Sequence, residues 1–234
     1  MVIKNRIIPG ALFVGAVIIA IALSFRLLTD NLAVRVVSKR ANCGISYSRL
    51  YRDDNNRLVF DGLKFSPPGE GIGFTSKKSV LAIDPLTLLI SPDTIDADFS
   101  FSDVVFSSSA EIGALFPDFG EILQIPLDSG RTYSMISGAL KREGGVITIS
   151  GLYAASETIR FRLDGSIDGD KELDLTVKIE FSGDLLREIP EEISIILSRE
   201  TEGWRSIQFS LQGNMGKPSI QLISKSFRLR FGYK

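Results

Sequence analysis

The sequence predicts a mostly β protein, in which an N-terminal transmembrane helix is followed by a curled antiparallel β-sheet, either a groove or a sandwich, with two short helices. Three observations predict this fold: an uncharged apolar run near the N-terminus, alternation of apolar and polar residues through most of the remainder, and turn-forming residues between the alternating segments. The 234 residues suffice for one ordinary domain and a short appendage. We therefore predict a cytoplasmic tail and anchor at residues 1–26 and one β-rich domain at residues 27–234.

The uncharged run covers residues 7–25, and its 19 residues approach the ~20 that are needed to cross ~30 Å of hydrocarbon. The alternative is a cleaved secretory signal, because residues 20–22 (Ala-Ile-Ala) have the small-x-small form of a cleavage site. We favour a retained anchor because the apolar run continues beyond that tripeptide. Both interpretations imply that the rest of the chain is exported. The candidate anchor residues are Ile7, Phe13, Ile18, Leu23 and Phe25.

Alternation with a period of two dominates the rest of the chain. Residues 159–164 (IRFRLD) and 173–181 (LDLTVKIEF) place apolar side chains on one face and mostly charged or polar side chains on the other, as a half-buried strand does. The same pattern recurs at residues 95–101, 207–211 and 227–231. Turn-forming residues separate the segments at positions 53–56, 66–69, 143–145, 168–170 and 213–214. The spacing predicts a long antiparallel meander with one apolar face.

Two stretches change to helical spacing, at residues 111–124 and 184–198. Each contains a proline, Pro117 and Pro190, which predicts short or broken helices. Two such helices can cover only part of a long apolar sheet. The sheet therefore either closes on itself as a sandwich or forms an open trough that takes up something apolar, and the sequence leaves both possibilities open.

Composition excludes several classes of chemistry. The chain has no His and one Cys, which excludes nucleophilic systems that use His and zinc sites made of His or of several Cys residues. A formal net charge of -1 gives no electrostatic support for binding nucleic acid. We therefore predict neither catalysis nor a cofactor.

Two motifs contain pairs of carboxylates, and we interpret both as structural rather than chemical. Asp96 and Asp98 share one strand face, as alternation alone would arrange them, so we interpret them as solvated residues rather than as a metal or catalytic pair. Residues 164–169 (DGSIDG) are similar to the opening of a calcium loop, but position twelve would be Leu175, where a bidentate Glu is needed. Neither motif predicts a metal site.

The order of the segments resembles the AsmA/TamB-type envelope proteins. In the first half, the resemblance rests on the anchor, residues 44–47 (GISY), residues 58–65 (LVFDGLKF), the PLTLL turn at residues 85–89 and the strand at residues 94–106. In the second half, it rests on residues 151–167, residues 173–177 (LDLTV) and the closing motif at residues 213–222 (GNMGKPSIQL). The short length looks closer to the accessory protein N of type II secretion.

This resemblance implies a single-pass inner-membrane protein whose bulk lies in the periplasm and whose β-groove shields acyl chains. It implies a non-catalytic role in phospholipid transport or handling, or in envelope biogenesis and outer-membrane assembly, with phospholipid acyl chains, the inner membrane and other envelope or secretion proteins as partners. The alternative is an accessory scaffold of a type II secretion-like machine, with the sheet closed as a sandwich. The candidate groove residues are Ile159, Phe161, Leu163, Leu173, Leu175, Val177, Ile179 and Phe209.

Overall fold

The computed structural model describes residues 30–39, 42–67, 72–84, 90–91, 93–108, 125–127, 130–187, 196–215, 218–223 and 228–231. Within these ranges, thirteen strands form one antiparallel sheet, and residues 30–39 form a helix, α1. The strands are β1 (Gly44–Ser46), β2 (Arg49–Arg52), β3 (Leu58–Ser66), β4 (Ile72–Ala82), β5 (Ile95–Ser108), β6 (Thr132–Glu143), β7 (Val146–Ala155), β8 (Ile159–Ile167), β9 (Glu172–Phe181), β10 (Ser198–Arg199), β11 (Arg205–Asn214), β12 (Ser219–Ile223) and β13 (Arg228–Phe231). Single 3-10 turns lie at Ile125–Leu127, Leu185–Arg187 and Thr201–Gly203.

The strands follow one another across the sheet almost in chain order. The main path runs from β1 through β3 to β9, and then through β11, β12 and β13. The short strand β2 pairs with β3, and β10 pairs with β11. Strands that are neighbours in the chain are thus neighbours in the sheet, so the predicted antiparallel meander is confirmed, and the sheet is open.

The prediction of a transmembrane helix is wrong, as is that of a single-pass inner-membrane protein with its bulk in the periplasm. Among the described residues, no helix is long and apolar enough to cross a membrane. The predicted anchor, including Ile7, Phe13, Ile18, Leu23 and Phe25, lies outside the described residues.

The two predicted short helices fare differently. The first, at residues 111–124, lies outside the described residues, as does the PLTLL turn. The second, at residues 184–198, lies mostly outside the described residues: Leu185–Arg187 form a 3-10 turn, Ile196 is helical, and β10 begins at Ser198. Helix α1 was not predicted, although Ala33 and Val37 lie one helical turn apart.

Buried side chains form three clusters on the sheet. The largest joins β8, β9, β11 and β12 and includes Leu185 and Leu197 from outside the long strands. A second cluster lies on β5, β6 and β7, and a third lies on β3 with Val34 of α1 packed against it. Phe161 packs against the first two clusters, so they form one continuous apolar surface.

A row of irregular positions crosses four strands. The cross-strand pairing omits Gly62 on β3, Lys77 on β4, Asp103 on β5 and Ser134 on β6, which lie opposite one another. Gly62 and Asp103 have φ values of 62° and 50°, as residues at β-bulges often do. The row changes which residues point inward, because an extra residue reverses the alternation of faces. Phe101 and Val104 consequently contact the same cavity although they are three residues apart.

Candidate functional site: an apolar groove

Side chains from seven strands line one cavity of about 420 Å³, which we call the main cavity. Among the described residues, none with a charged side chain lines it. At ~4.8 Å per strand, the row from β4 to β11 spans roughly 30 Å, so the sheet has to be concave for these residues to share a cavity. The lining consists of Phe74, Phe99, Phe101, Val104, Phe106, Pro126, Tyr133, Ile136, Leu152, Ala154, Phe161, Leu163, Val177, Ile179 and Leu211.

Cross-strand register places the lining residues side by side. Phe161 on β8 lies opposite Ala154 on β7 and Ile179 on β9. Leu163 lies between Leu152 and Val177 in the same way. Such directly opposed pairs have Cβ atoms about 5 Å apart, which makes the floor of the cavity a continuous apolar layer.

The main cavity is not a sealed core at every point. Val104 and Ile179 are fully buried, whereas Phe99, Phe161 and Leu152 keep part of their surface exposed. An ordinary core would bury these large side chains against other elements. The half-buried residues therefore form a surface on which an apolar ligand can pack.

Aromatic rings make one wall of the main cavity rigid. The ring of Phe74 stacks on Phe65 at 5.4 Å between centroids and tilts toward Phe101 at 5.5 Å. Phe101 in turn stacks on Phe99 at 5.3 Å. Aromatic pairs at these separations contribute about 0.5–1.5 kcal/mol each beyond the burial of their area, so this wall keeps its shape.

Among the described lining residues, Tyr133 alone has a polar side-chain group, and that group is paired. Its side chain is 1% exposed, and the hydroxyl donates a hydrogen bond of 2.7 Å to the carbonyl oxygen of Pro126. Burial raises the pKa of Tyr133 well above its usual value, and the nearby charge of Arg131 offsets this only in part. The phenol therefore stays neutral, and its dipole is turned to the backbone rather than to the cavity.

We expect Tyr133→Phe to lower the free energy of unfolding by about 1 kcal/mol, because a net hydrogen bond is lost and little volume changes. Urea titration followed by tryptophan fluorescence measures this difference. An unchanged midpoint would show that the Pro126 carbonyl finds another donor.

A second, smaller cavity of about 140 Å³ lies between α1 and the strands β1, β3 and β4. Ala33, Val34 and Val37 of α1 form its roof. The helix is held by Arg52 on β2, whose guanidinium donates two hydrogen bonds, of 2.7 and 2.9 Å, to the carboxylate of Asp30. This bidentate contact raises the pKa of Arg52 and fixes the end of α1 over the sheet.

Charged residues of β8 and β9 lie on the opposite face of the sheet, as their alternation predicts. The guanidinium of Arg160 lies 4.0 Å from the ring centroid of Trp204, and the Lys178 ammonium lies 2.7 Å from Glu180 and 2.9 Å from Glu200. Burial by itself would lower the pKa of Lys178, but the two carboxylates outweigh it and raise the pKa. The polar face is therefore internally paired at these positions.

The eight predicted groove residues divide into two groups. Phe161, Leu163, Val177 and Ile179 line the main cavity, whereas the other four, Ile159, Leu173, Leu175 and Phe209, are buried in the adjoining core and do not line it. Sequence reasoning missed the residues on β4 to β7 and Leu211. The alternation at residues 95–101 pointed to Phe99 and Phe101, but the row of irregular positions conceals that Val104 and Phe106 continue the same face.

The aspartates of the two carboxylate motifs are either exposed to solvent or hydrogen-bonded to nearby backbone. Asp96 and Asp98 are exposed, and Asp96 lies opposite Lys141 on β6. The carboxylate of Asp164 accepts a hydrogen bond of 2.6 Å from the backbone N–H of Gly151, and that of Asp168 accepts from the turn that follows it. Within the described ranges, no group of three or more acidic or Cys side chains is placed to hold a metal ion.

No family model matches this chain, and no curated protein or solved structure matches it either. The resemblance to AsmA/TamB-type proteins therefore stays a prediction that rests on the order of short motifs. What the fold adds is the groove itself, with its lining, its volume and its neutral walls.

Proposed function

We propose that this protein handles lipid without catalysing a reaction, and that the main cavity holds an acyl chain of a phospholipid. The observation that carries the proposal is the lining of the main cavity, which combines apolar side chains from seven strands with no charged side chain among the described residues. Charged or strongly polar ligands would lose hydration there without gaining a partner. The hydrocarbon part of an acyl chain has no polar group that needs a hydrogen-bond partner.

Size and accessibility favour the same ligand class. A volume of about 420 Å³ falls within the about 300–1,000 Å³ that is usual for small-molecule sites. Each methylene group moved from water into such a site contributes about 0.8 kcal/mol, so a chain of many methylenes would bind well even without hydrogen bonds. The half-buried rings of Phe99 and Phe161 would gain the burial that the protein by itself does not give them.

The resemblance to AsmA/TamB-type proteins supports the proposal from another direction, since it implies a β-groove that shields acyl chains and a role in phospholipid handling or envelope assembly. The alternative from the sequence is an accessory scaffold of a type II secretion-like machine with a closed sandwich. The described strands form one open sheet, and this geometry favours the groove.

The test is to purify the full chain gently, measure bound lipid by native mass spectrometry, and identify it after extraction. We expect phospholipid at about one per chain. A fully folded chain that carries no phospholipid and takes up none from phosphatidylcholine vesicles would contradict the proposal. Co-purification with other proteins in that lipid-free state would instead favour the scaffold.

A charge placed in the groove should abolish binding. We expect Leu152→Asp to lower lipid occupancy more than about tenfold, because burying an uncompensated carboxylate under an acyl chain costs several kcal/mol. Thr148→Asp is the matched control: it lies on the same strand, β7, and it faces Lys141 across the β6 pairing. Circular dichroism checks that both variants fold. Equal lipid occupancy in two folded variants would show that the ligand lies elsewhere.

A further inference from the structure

The main cavity and the small cavity meet at one residue. Phe74 is the only described residue that lines both of them. Each of the other described lining residues belongs to one cavity only. For example, Phe99 lines the main cavity and Phe65 lines the small cavity. The ring of Phe74 therefore borders both apolar volumes.

Contacts on two sides hold the Phe74 ring in place. Phe74 lies opposite Phe65 on β3 and Phe106 on β5 in the strand pairing. Its ring contacts Phe65 at 5.4 Å and Phe101 at 5.5 Å, and it packs against both the β3 cluster and the β5 to β7 cluster. A ring held on two sides in this way cannot rotate aside without losing both contacts.

The small cavity extends the apolar surface beyond Phe74. Its roof is α1, and the Asp30–Arg52 ion pair fastens that helix to β2. A chain that enters the main cavity and runs toward β3 would therefore meet the Phe74 ring first and, behind it, about 140 Å³ of apolar space. No described charged side chain lines that space.

We propose that Phe74 sets the length of acyl chain that the protein accepts, by ending the main cavity before the small one. This inference rests on the proposed function, since it concerns the ligand of the same site. Removing the ring should let a longer chain continue under α1. Each additional methylene buried there should improve binding about fourfold, the factor that corresponds to the usual transfer free energy of one CH₂ group.

The experiment offers the full chain an equimolar mixture of lysophosphatidylcholines with myristoyl, palmitoyl, stearoyl and arachidoyl chains, and reads the bound lengths by native mass spectrometry. Successive members differ by two methylene groups. For Phe74→Ala we expect the ratio of arachidoyl to palmitoyl bound to rise more than about tenfold over the wild-type ratio. Tyr153→Ala is the matched control, because it removes a ring that lines neither cavity.

The outcomes separate the two proposals. If wild-type protein binds none of the four lipids, the proposed function fails. If it binds them and Phe74→Ala leaves the distribution unchanged, or if the control shifts it equally, the role of Phe74 is wrong and the proposed function stands. Should Phe74→Ala not fold, Phe74→Leu provides the same test, with a smaller shift in the same direction expected and an unchanged distribution again overturning the inference.

Discussion

Gly165→Ala should destabilise the protein by about 4 kcal/mol or more, the largest effect that we expect from any single methyl group in this sheet. Gly165 lies on β8 with a φ of 137°, a conformation that residues with a Cβ rarely adopt. A Cβ at this position would lie 2.0 Å from the carbonyl oxygen of Asp174 and 2.8 Å from the Cα of Leu175. Both atoms belong to the backbone of β9, so relief requires the two strands to separate.

Gly151→Ala provides the control for Gly165→Ala. Gly151 also has a positive φ, of 57°, but a Cβ there would meet no atom within 4 Å. We therefore expect only the cost of the left-handed conformation, about 1–2 kcal/mol. Urea unfolding of both variants measures the difference. Similar midpoints for the two would show that β8 and β9 can move apart at little cost, and would contradict the close approach at Gly165.

Arg52→Ala should lower the free energy of unfolding by about 3–5 kcal/mol, the usual cost of leaving one partner of a buried ion pair alone. Asp30 is 1% exposed, and Arg52 donates two hydrogen bonds to its carboxylate. Without the guanidinium, this carboxylate would be buried with its charge uncompensated. The least costly response is for α1 to leave the sheet, so hydrogen exchange of residues 31–39 should accelerate together with the loss of stability.

Arg57→Ala removes an ion pair of similar geometry at the surface. Arg57 lies 2.6 Å from Asp53, but its side chain is 44% exposed. Water screens such a pair, so we expect no measurable shift of the unfolding midpoint and no change in the exchange of α1. Equal effects of Arg52→Ala and Arg57→Ala would mean that α1 is not held by the buried pair.

The different effects expected for Arg52→Ala and Arg57→Ala illustrate what could be predicted from the sequence. Residues 53–57 form a local turn, and a sequence that reads Asp-Asp-Asn-Asn predicts it directly. Asp30 and Arg52 are separated by 22 positions, and nothing in either segment indicates that they meet. Only the packing of α1 against β2 turns two ordinary charged residues into a buried contact.

The same distinction applies to the groove. The apolar residues of segments 159–163 and 173–181 are buried or line the main cavity, because alternation with a period of two determines the face wherever the strand is regular. The prediction could not tell Phe161, which lines the main cavity, from Phe209, which is buried in the neighbouring core. Both belong to the same face, and only the curvature of the sheet separates an accessible position from a covered one.

Local periodicity by itself determined that this chain is mostly β, that its strands pair in order, and that one face of the sheet is apolar, since these properties depend on residues that are neighbours in sequence. Tertiary structure decided where that face becomes a groove. The irregular row through Gly62, Lys77, Asp103 and Ser134 reverses the inward positions of four strands at once, and it can be recognised only when the strands lie side by side. The place of Phe74 between two cavities is likewise visible only in the tertiary structure, because the cavity walls come from α1 and from strands as distant in sequence as β3 and β11.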